Sequence, residues 1–183
     1  LTKMINDGMA FEDALKIAQQ LGYAEADPSA DVEGKDACRK ICILASLCFG
    51  KHVYPDSVYT EGITKISTED FAYAKKMQRS IKLLASSKSV NGSYCCMVAP
   101  FMLDKNHPLC NVNDVFNSVF VHGNMLGDAM FYGSGAGKLP TASAVCASEV
   151  NVTDSYATSL VDDTKDVIEK IIPATKHDKI IVE

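Results

Sequence analysis

Asp36 and Lys40 stand four residues apart, the acid first, inside a segment whose apolar spacing is helical. At that spacing two side chains share one helix face, and acid-before-lysine is the favoured order for an ion pair. On a solvated face such a pair adds roughly 0.3–0.5 kcal/mol to helix stability and nothing more. Two features argue for more than that. Ala37, Cys38 and Ile41 leave little of the surrounding face polar, and Glu25, Asp27 and Asp31 crowd the loop leading into the same helix. Several carboxylates around one lysine suit a small zwitterion. The acids would hold an ammonium, and the lysine would address a hydroxyl or carbonyl oxygen.

Other residues with chemical potential have weaker spacing. Gly133-Ser134-Gly135-Ala136-Gly137 invites a phosphate-binding reading, but G-x-G-x-x-G would need a third glycine where Lys138 stands. A P-loop needs four residues ahead of Gly-Lys and a Ser or Thr behind it. Here three residues separate Gly133 from Gly137, and Leu139 follows Lys138. What remains is a strand, a glycine-rich loop and a helix start near Pro140. That is either a plain tight turn or a place where a ligand approaches the backbone. His107 and Cys110 share a turn, and Cys95 and Cys96 point to opposite strand faces, so no metal site is expected. No G-x-S-x-G nucleophile motif occurs.

The chain that positions these groups has 183 residues, 47% of them apolar, which fits one domain with a real core. Eighteen basic against 23 acidic residues give a net charge of −5, so neither nucleic acid nor an anionic membrane is an expected partner. The longest apolar runs, residues 41–49 and 94–103, fall short of the roughly 18 residues that cross a bilayer. The start, Leu1-Thr2-Lys3-Met4, lacks both a signal-peptide layout and an initiator methionine, so a soluble, cytoplasmic piece of a longer protein is expected. Seven cysteines without framework spacing point to a reduced compartment, with Cys38, Cys42 and Cys48 acting as small hydrophobes in a helix. The sequons at Asn91 and Asn151 are expected to stay unused, and the seven methionines read as core residues.

Met9, Phe11, Ala14, Leu15, Ala18 and Leu21 give a helical period that Gly22 ends. After an acidic loop with Pro28, a second helix runs from about 32 or 34 to 49, with Ser29 or Asp31 as N-cap and Gly50 closing it. Ser67-Thr68-Glu69-Asp70 opens a third helix expected to continue to about 84. Residues 93–104, 115–122 and 127–132 read as strands, with a turn at 105–108. A helix over 141 to about 148, an amphipathic helix over 160–172 and a strand over 179–182 complete the chain. Helices first, then strands with a crossover helix, predict an α+β or mixed-sheet domain.

Leu21-Gly22-Tyr23-Ala24-Glu25-Ala26-Asp27-Pro28, then Asp31-Val32-Glu33-Gly34-Lys35-Asp36-Ala37-Cys38-Arg39-Lys40, closely resembles the signature of homoserine dehydrogenases. The family pattern is approximately GY-x-E-x-DP-x-x-D-x-x-G-x-D-x-x-(R/Y)K, and every fixed position is filled. His107-Pro108-Leu109, the strand near Asn117 and the stretch from Phe131 to Val145 are similar to that family too. The resemblance covers roughly residues 1–150; residues 151–183 match no motif and are read as the C-terminal part of the same domain.

The resemblance implies an oxidoreductase that interconverts L-homoserine and L-aspartate 4-semialdehyde with NAD(P), on the route to threonine, methionine and isoleucine. It implies a two-layer α/β arrangement, a mixed β-sheet covered by helices on one face, and a homodimer in which sheets of two subunits meet. Carried over by position, Lys40 matches the proton donor to the carbonyl, with Asp36 beside it. Glu25 and Asp36 match carboxylates that bind substrate, and Asp31 lies among the same acids. Gly137 matches a position that contacts the nicotinamide, and Gly135 belongs to the same loop.

Members of that family begin with a nucleotide-binding domain carrying G-x-G-x-x-G, followed by a further lysine near the hinge; the family's cation site also lies upstream of Leu1. None of these stands in residues 1–183. The chain is therefore expected to be a catalytic, substrate-binding and dimerisation domain, inactive by itself. The competing expectation is a non-catalytic α/β amino-acid-binding or oligomerisation module. The complete set of acids and the lysine favours the enzyme.

Overall fold

The computed structural model describes residues 1–135, Ala142 and 177–182. It opens with α1 (Thr2–Asp7), a short helix that Gly8 ends in a left-handed turn. In α2 (Phe11–Gln20), Glu12 and Asp13 occupy the first turn, where they offset the helix dipole. A single turn, α3 (Ser29–Val32), precedes α4 (Lys35–Phe49). The expected N-caps of the long helix are corrected: Ser29 and Asp31 lie in α3, and Gly34, left-handed at φ 78°, turns the chain into α4.

β1 (Tyr59–Thr60) is followed by α5 (Thr68–Lys76), which opens on a capping box. The Ser67 hydroxyl accepts from the Asp70 amide, and the Asp70 carboxylate accepts from the Ser67 amide. The helix expected to reach residue 84 ends at Lys76 instead. Met77 and Gln78, the latter at φ 55°, turn the chain, and Ile81 to Leu84 enter β2 (Arg79–Val90). Ile81, Leu83 and Leu84 fit either element, and here pairing with the next strand decides it. β3 (Ser93–Asp104), β4 (Phe116–Gly123), β5 (Gly127–Ser134) and β6 (His177–Val182) follow. Apart from Ala142, the expected helices over 141–148 and 160–172 lie outside the described residues.

The six strands form one sheet in the order β1-β3-β2-β6-β4-β5. β1 runs parallel to β3 and the other pairs are antiparallel, so the sheet is mixed. Cys38, Ile41 and Cys42 of α4 pack on Val58, Ala85 and Val98. Met4 of α1 with Phe71 and Ala74 of α5 packs on Ile81, two positions from Leu83 and four from Ala85 along β2. All three helices thus cover one face, giving the α+β architecture. Beneath the other face, Leu109 and Val112 pack against Leu84 and Phe120. Burial pushes the Cys42 and Cys48 thiols up to about 11, in keeping with inert core cysteines. The methionine expectation is corrected: Met4 is buried, whereas Met77, Met102, Met125 and Met130 are exposed. Met125 sits at the β4–β5 hairpin tip, beyond reach of the core, 80% exposed.

Candidate active site

The loop from α2 to α4 is tied down residue by residue. Gln19, near the end of α2, donates to the carbonyls of Glu25 at 3.0 Å and Ala26 at 3.3 Å, fixing the backbone that carries Glu25. Asp27 accepts from the Ser29 amide at 3.1 Å, and hydrogen bonding from Ser29 holds its carboxyl below the usual range. Asp27 thus holds the backbone where α3 opens. Asp31 then lies in α3 and Asp36 in the first turn of α4, where the helix dipole favours a carboxylate.

Lys40 Nζ lies 2.7 Å from Asp36 Oδ2, with 55% and 41% of the two side chains exposed. An ammonium has three N–H donors, so two remain for a ligand. Asp31 reports on the rest of the cluster. Although Asp31 is exposed, partial desolvation raises its pKa, the Asp36 charge raises it further, Lys40 offsets part of this, and Glu25 adds to the rise. Glu25, Asp31, Asp36 and Lys40 thus share one electrostatic field in which three acids face one base. That surplus of negative charge suits an ammonium.

The corner rests on the β1 edge of the sheet. The Ile63 amide donates to the Val32 carbonyl at 2.8 Å, and the Glu61 amide to Val98 at 2.8 Å. A Cβ at Gly62 would collide with the Val32 carbonyl and the Glu33 backbone, and one at Gly34 would sit 3.0 Å from Val98 Cγ1. These contacts, which sequence spacing did not reveal, hold the α3–α4 corner against residues 60–63 and β3. A cleft of about 620 Å³ lies beside the same helix, but Glu33, Lys35, Arg39, Tyr59 and Lys65 line it, not Asp36 or Lys40. Among the described residues the acid–lysine cluster is an exposed corner of the fold.

At the far edge of the sheet, Gly133 and Ser134 finish β5, and the Gly135 amide donates to the Val115 carbonyl at 2.9 Å. The Asn117 side chain fills the space beside Gly135. Gly137 lies outside the described residues. His107 Nδ1 accepts from the Leu109 amide at 3.2 Å, and the Cys110 thiol donates to the Asp104 carbonyl at 2.9 Å. Among the described residues no three His, Cys, Asp or Glu side chains could hold a metal. Lys82, which sequence reasoning passed over, is buried in β2; its ammonium donates to the Val112 carbonyl and to Asn113, binding the segment after Pro108 to the sheet.

A mixed sheet under helices carries clustered acids and a lysine at its corner, an α+β domain with a polar, charged edge. A sequence profile of the homoserine dehydrogenases matches residues 1–149, and the chain belongs to that family. It is 48% identical over 163 residues to a homoserine dehydrogenase of Synechocystis sp., covering 87% of this chain and 38% of that protein. It superposes on the crystal structure of a homoserine dehydrogenase from Thiobacillus denitrificans with a TM-score of 0.77 at 42% identity, covering 83% of this chain and 35% of that one. A hyperthermophilic archaeal homoserine dehydrogenase mutant in complex with NADPH gives a TM-score of 0.63 at 29% identity, covering 83% and 44%. The chain spans little more than a third of the length of the first two.

Proposed function

We propose that residues 1–183 are the catalytic, substrate-binding and dimerisation domain of a homoserine dehydrogenase, with 151–183 completing that domain. The reaction is the interconversion of L-homoserine and L-aspartate 4-semialdehyde with NAD(P), in the cytoplasm, toward threonine, methionine and isoleucine. The observation that carries this reading is the Asp36–Lys40 pair, 2.7 Å apart, in the shared field of Asp31 and Glu25. Glu25, Asp31 and Asp36 hold the substrate ammonium. Lys40 points its remaining donors at the oxygen on C4, giving a proton as the carbonyl becomes an alcohol and taking one in the reverse direction. When bound, the nicotinamide supplies the hydride chemistry. The chain fits only that end of the cofactor: Gly135 and Gly137 offer backbone without side chains, while no G-x-G-x-x-G stands in the sequence. The NADPH named for the archaeal neighbour supports the cofactor class.

The sheet supports a homodimer. Phe116, Met130 and Tyr132 are 40%, 37% and 53% exposed, and the Phe116 and Tyr132 rings stack at 4.8 Å. A second copy of the sheet would cover them. For the reaction itself, the decisive experiment is Lys40→Ala in a full-length enzyme carrying this domain. Turnover is expected to fall about 10²- to 10⁴-fold while the NADPH dissociation constant stays near that of the parent. Unchanged turnover would remove Lys40 from the chemistry and favour a binding module.

A further inference from the structure

We propose that Gln19 is a positioning residue for substrate binding: through two hydrogen bonds to consecutive carbonyls, its carboxamide sets the backbone from which Glu25 reaches the substrate ammonium. The proposal rests on the reading of Glu25 as an acid that binds that ammonium.

The loop after α2 folds back onto the helix it leaves. Gly22, left-handed at φ 75°, makes the turn. The amides of Tyr23 and Ala24 then donate to the Ala18 carbonyl at 2.9 and 3.3 Å. Beyond Ala24 this backbone tether stops. Among the described residues, no backbone–backbone hydrogen bond outside the helices and strands involves Glu25, Ala26 or Asp27. What holds the stretch to the helix is Gln19, partly buried in the last turn of α2. Its Nε2 lies 3.0 Å from the Glu25 carbonyl oxygen and 3.3 Å from that of Ala26. A carboxamide nitrogen carries two N–H groups, and two neighbouring carbonyls stand ready to take them.

These bonds lie at the surface, so their weight is less in stability than in where they keep the loop. A loop already in place spares the substrate the entropy of ordering it. Glu25 meets the ammonium, away from the C4 oxygen that Lys40 addresses, and Lys40 is carried separately on α4. Loss of the tether therefore weakens ground state and transition state alike. Such a loss appears in KM and leaves kcat nearly level.

The test uses a full-length enzyme carrying this domain and compares Gln19→Met, Gln19→Glu, Glu25→Gln and the Gln19→Met, Glu25→Gln double variant. Homoserine KM, kcat, the NADPH dissociation constant and the thermal midpoint are read for each. Gln19→Met keeps the length and removes the donors. It should raise homoserine KM about fivefold or more, with kcat, NADPH affinity and midpoint near those of the parent. Gln19→Glu separates position from charge. Its carboxylate attracts an ammonium but repels the two carbonyls, so positioning predicts a higher KM and electrostatics alone a lower one. In the Glu25→Gln background, Gln19→Met should add less than about twofold, because the acid it positions is gone. An unchanged KM in Gln19→Met, a lower or unchanged KM in Gln19→Glu, or a fully additive double variant each overturns the proposal. So does a KM that rises only together with a fall in midpoint and NADPH affinity, the mark of general loosening. The underlying reading fails in its own arm: an unchanged KM in Glu25→Gln removes Glu25 from the substrate site and the proposal with it. A raised KM there beside an unchanged one in Gln19→Met removes Gln19 alone. Should Gln19→Met fail to fold, Gln19→Glu decides by the sign of its KM change.

Discussion

Asp31 is the acid whose charge the fold resists. Asp36 has Lys40 as an ion-pair partner at 2.7 Å, and Asp27 accepts from the Ser29 amide, but Asp31, although exposed, loses part of its solvation and lies near two like charges. Its folded pKa is raised above the ordinary value of 3.8, so the native state binds more protons than the unfolded chain just above that pH. The stability tied to this group is therefore fully present below 3.8 and lost as pH rises through the raised value. Asp31→Asn removes the titration. Urea midpoints measured from about pH 3.5 to pH 7 should show the variant gaining on the parent as pH rises, while homoserine binding weakens. A stability gap that stays constant across that range would refute the assignment. The sequence made the Asp36–Lys40 pair readable, because four residues in a helix fix a shared face. It did not show which acids join that pair, since Asp27 and Asp31 are separated by hydrogen bonds visible only in three dimensions.

Elements were legible where their signals were local. The Gly22 and Gly50 stops, the Ser67 start and the strand over 93–104 are each set by a few neighbouring residues. β2 was not, because a strong helix start at Ser67 and the apolar residues Ile81, Leu83 and Leu84 fit one long helix until β3 pairs with them. A stronger reading of Asn91-Gly92 would have found the hairpin. Both residues take positive φ, 50° and 80°, as the tightest antiparallel turns require. The α3–α4 corner depends on packing that sequence does not display. Gly62 lets the chain lie directly on the Val32 carbonyl, and the Ile63 amide then bonds that same oxygen. Gly62→Ala forces backbone apart and should cost about 1–3 kcal/mol in urea unfolding, with a larger homoserine KM because Asp31 and Asp36 separate. A fully stable Gly62→Ala protein with an unchanged KM would show that the corner is not what holds the acids together.

At the scale of the whole molecule, the acid–lysine corner is exposed among the described residues, whereas the proposed chemistry works best away from water. Asp36 and Lys40 keep roughly half their side-chain surface in water, and water screens an ion pair and competes for every donor. The sheet, in contrast, carries exposed aromatic and methionine side chains at Phe116, Met130 and Tyr132, an apolar group of the kind that subunit contacts cover. These two surfaces lead to separate outcomes for the 183-residue chain studied alone. By sedimentation it should be a dimer, and Tyr132→Asp should shift it toward monomer by placing a charge in the apolar contact. In a homoserine and NAD(P) assay it should show no turnover, because no dinucleotide fingerprint stands in residues 1–183. Supplying a G-x-G-x-x-G domain in the same polypeptide should restore activity without altering the dimer. Measurable oxidation of homoserine by the chain alone would reject the division of labour proposed for it, and a monomeric chain would reject the sheet as the interface.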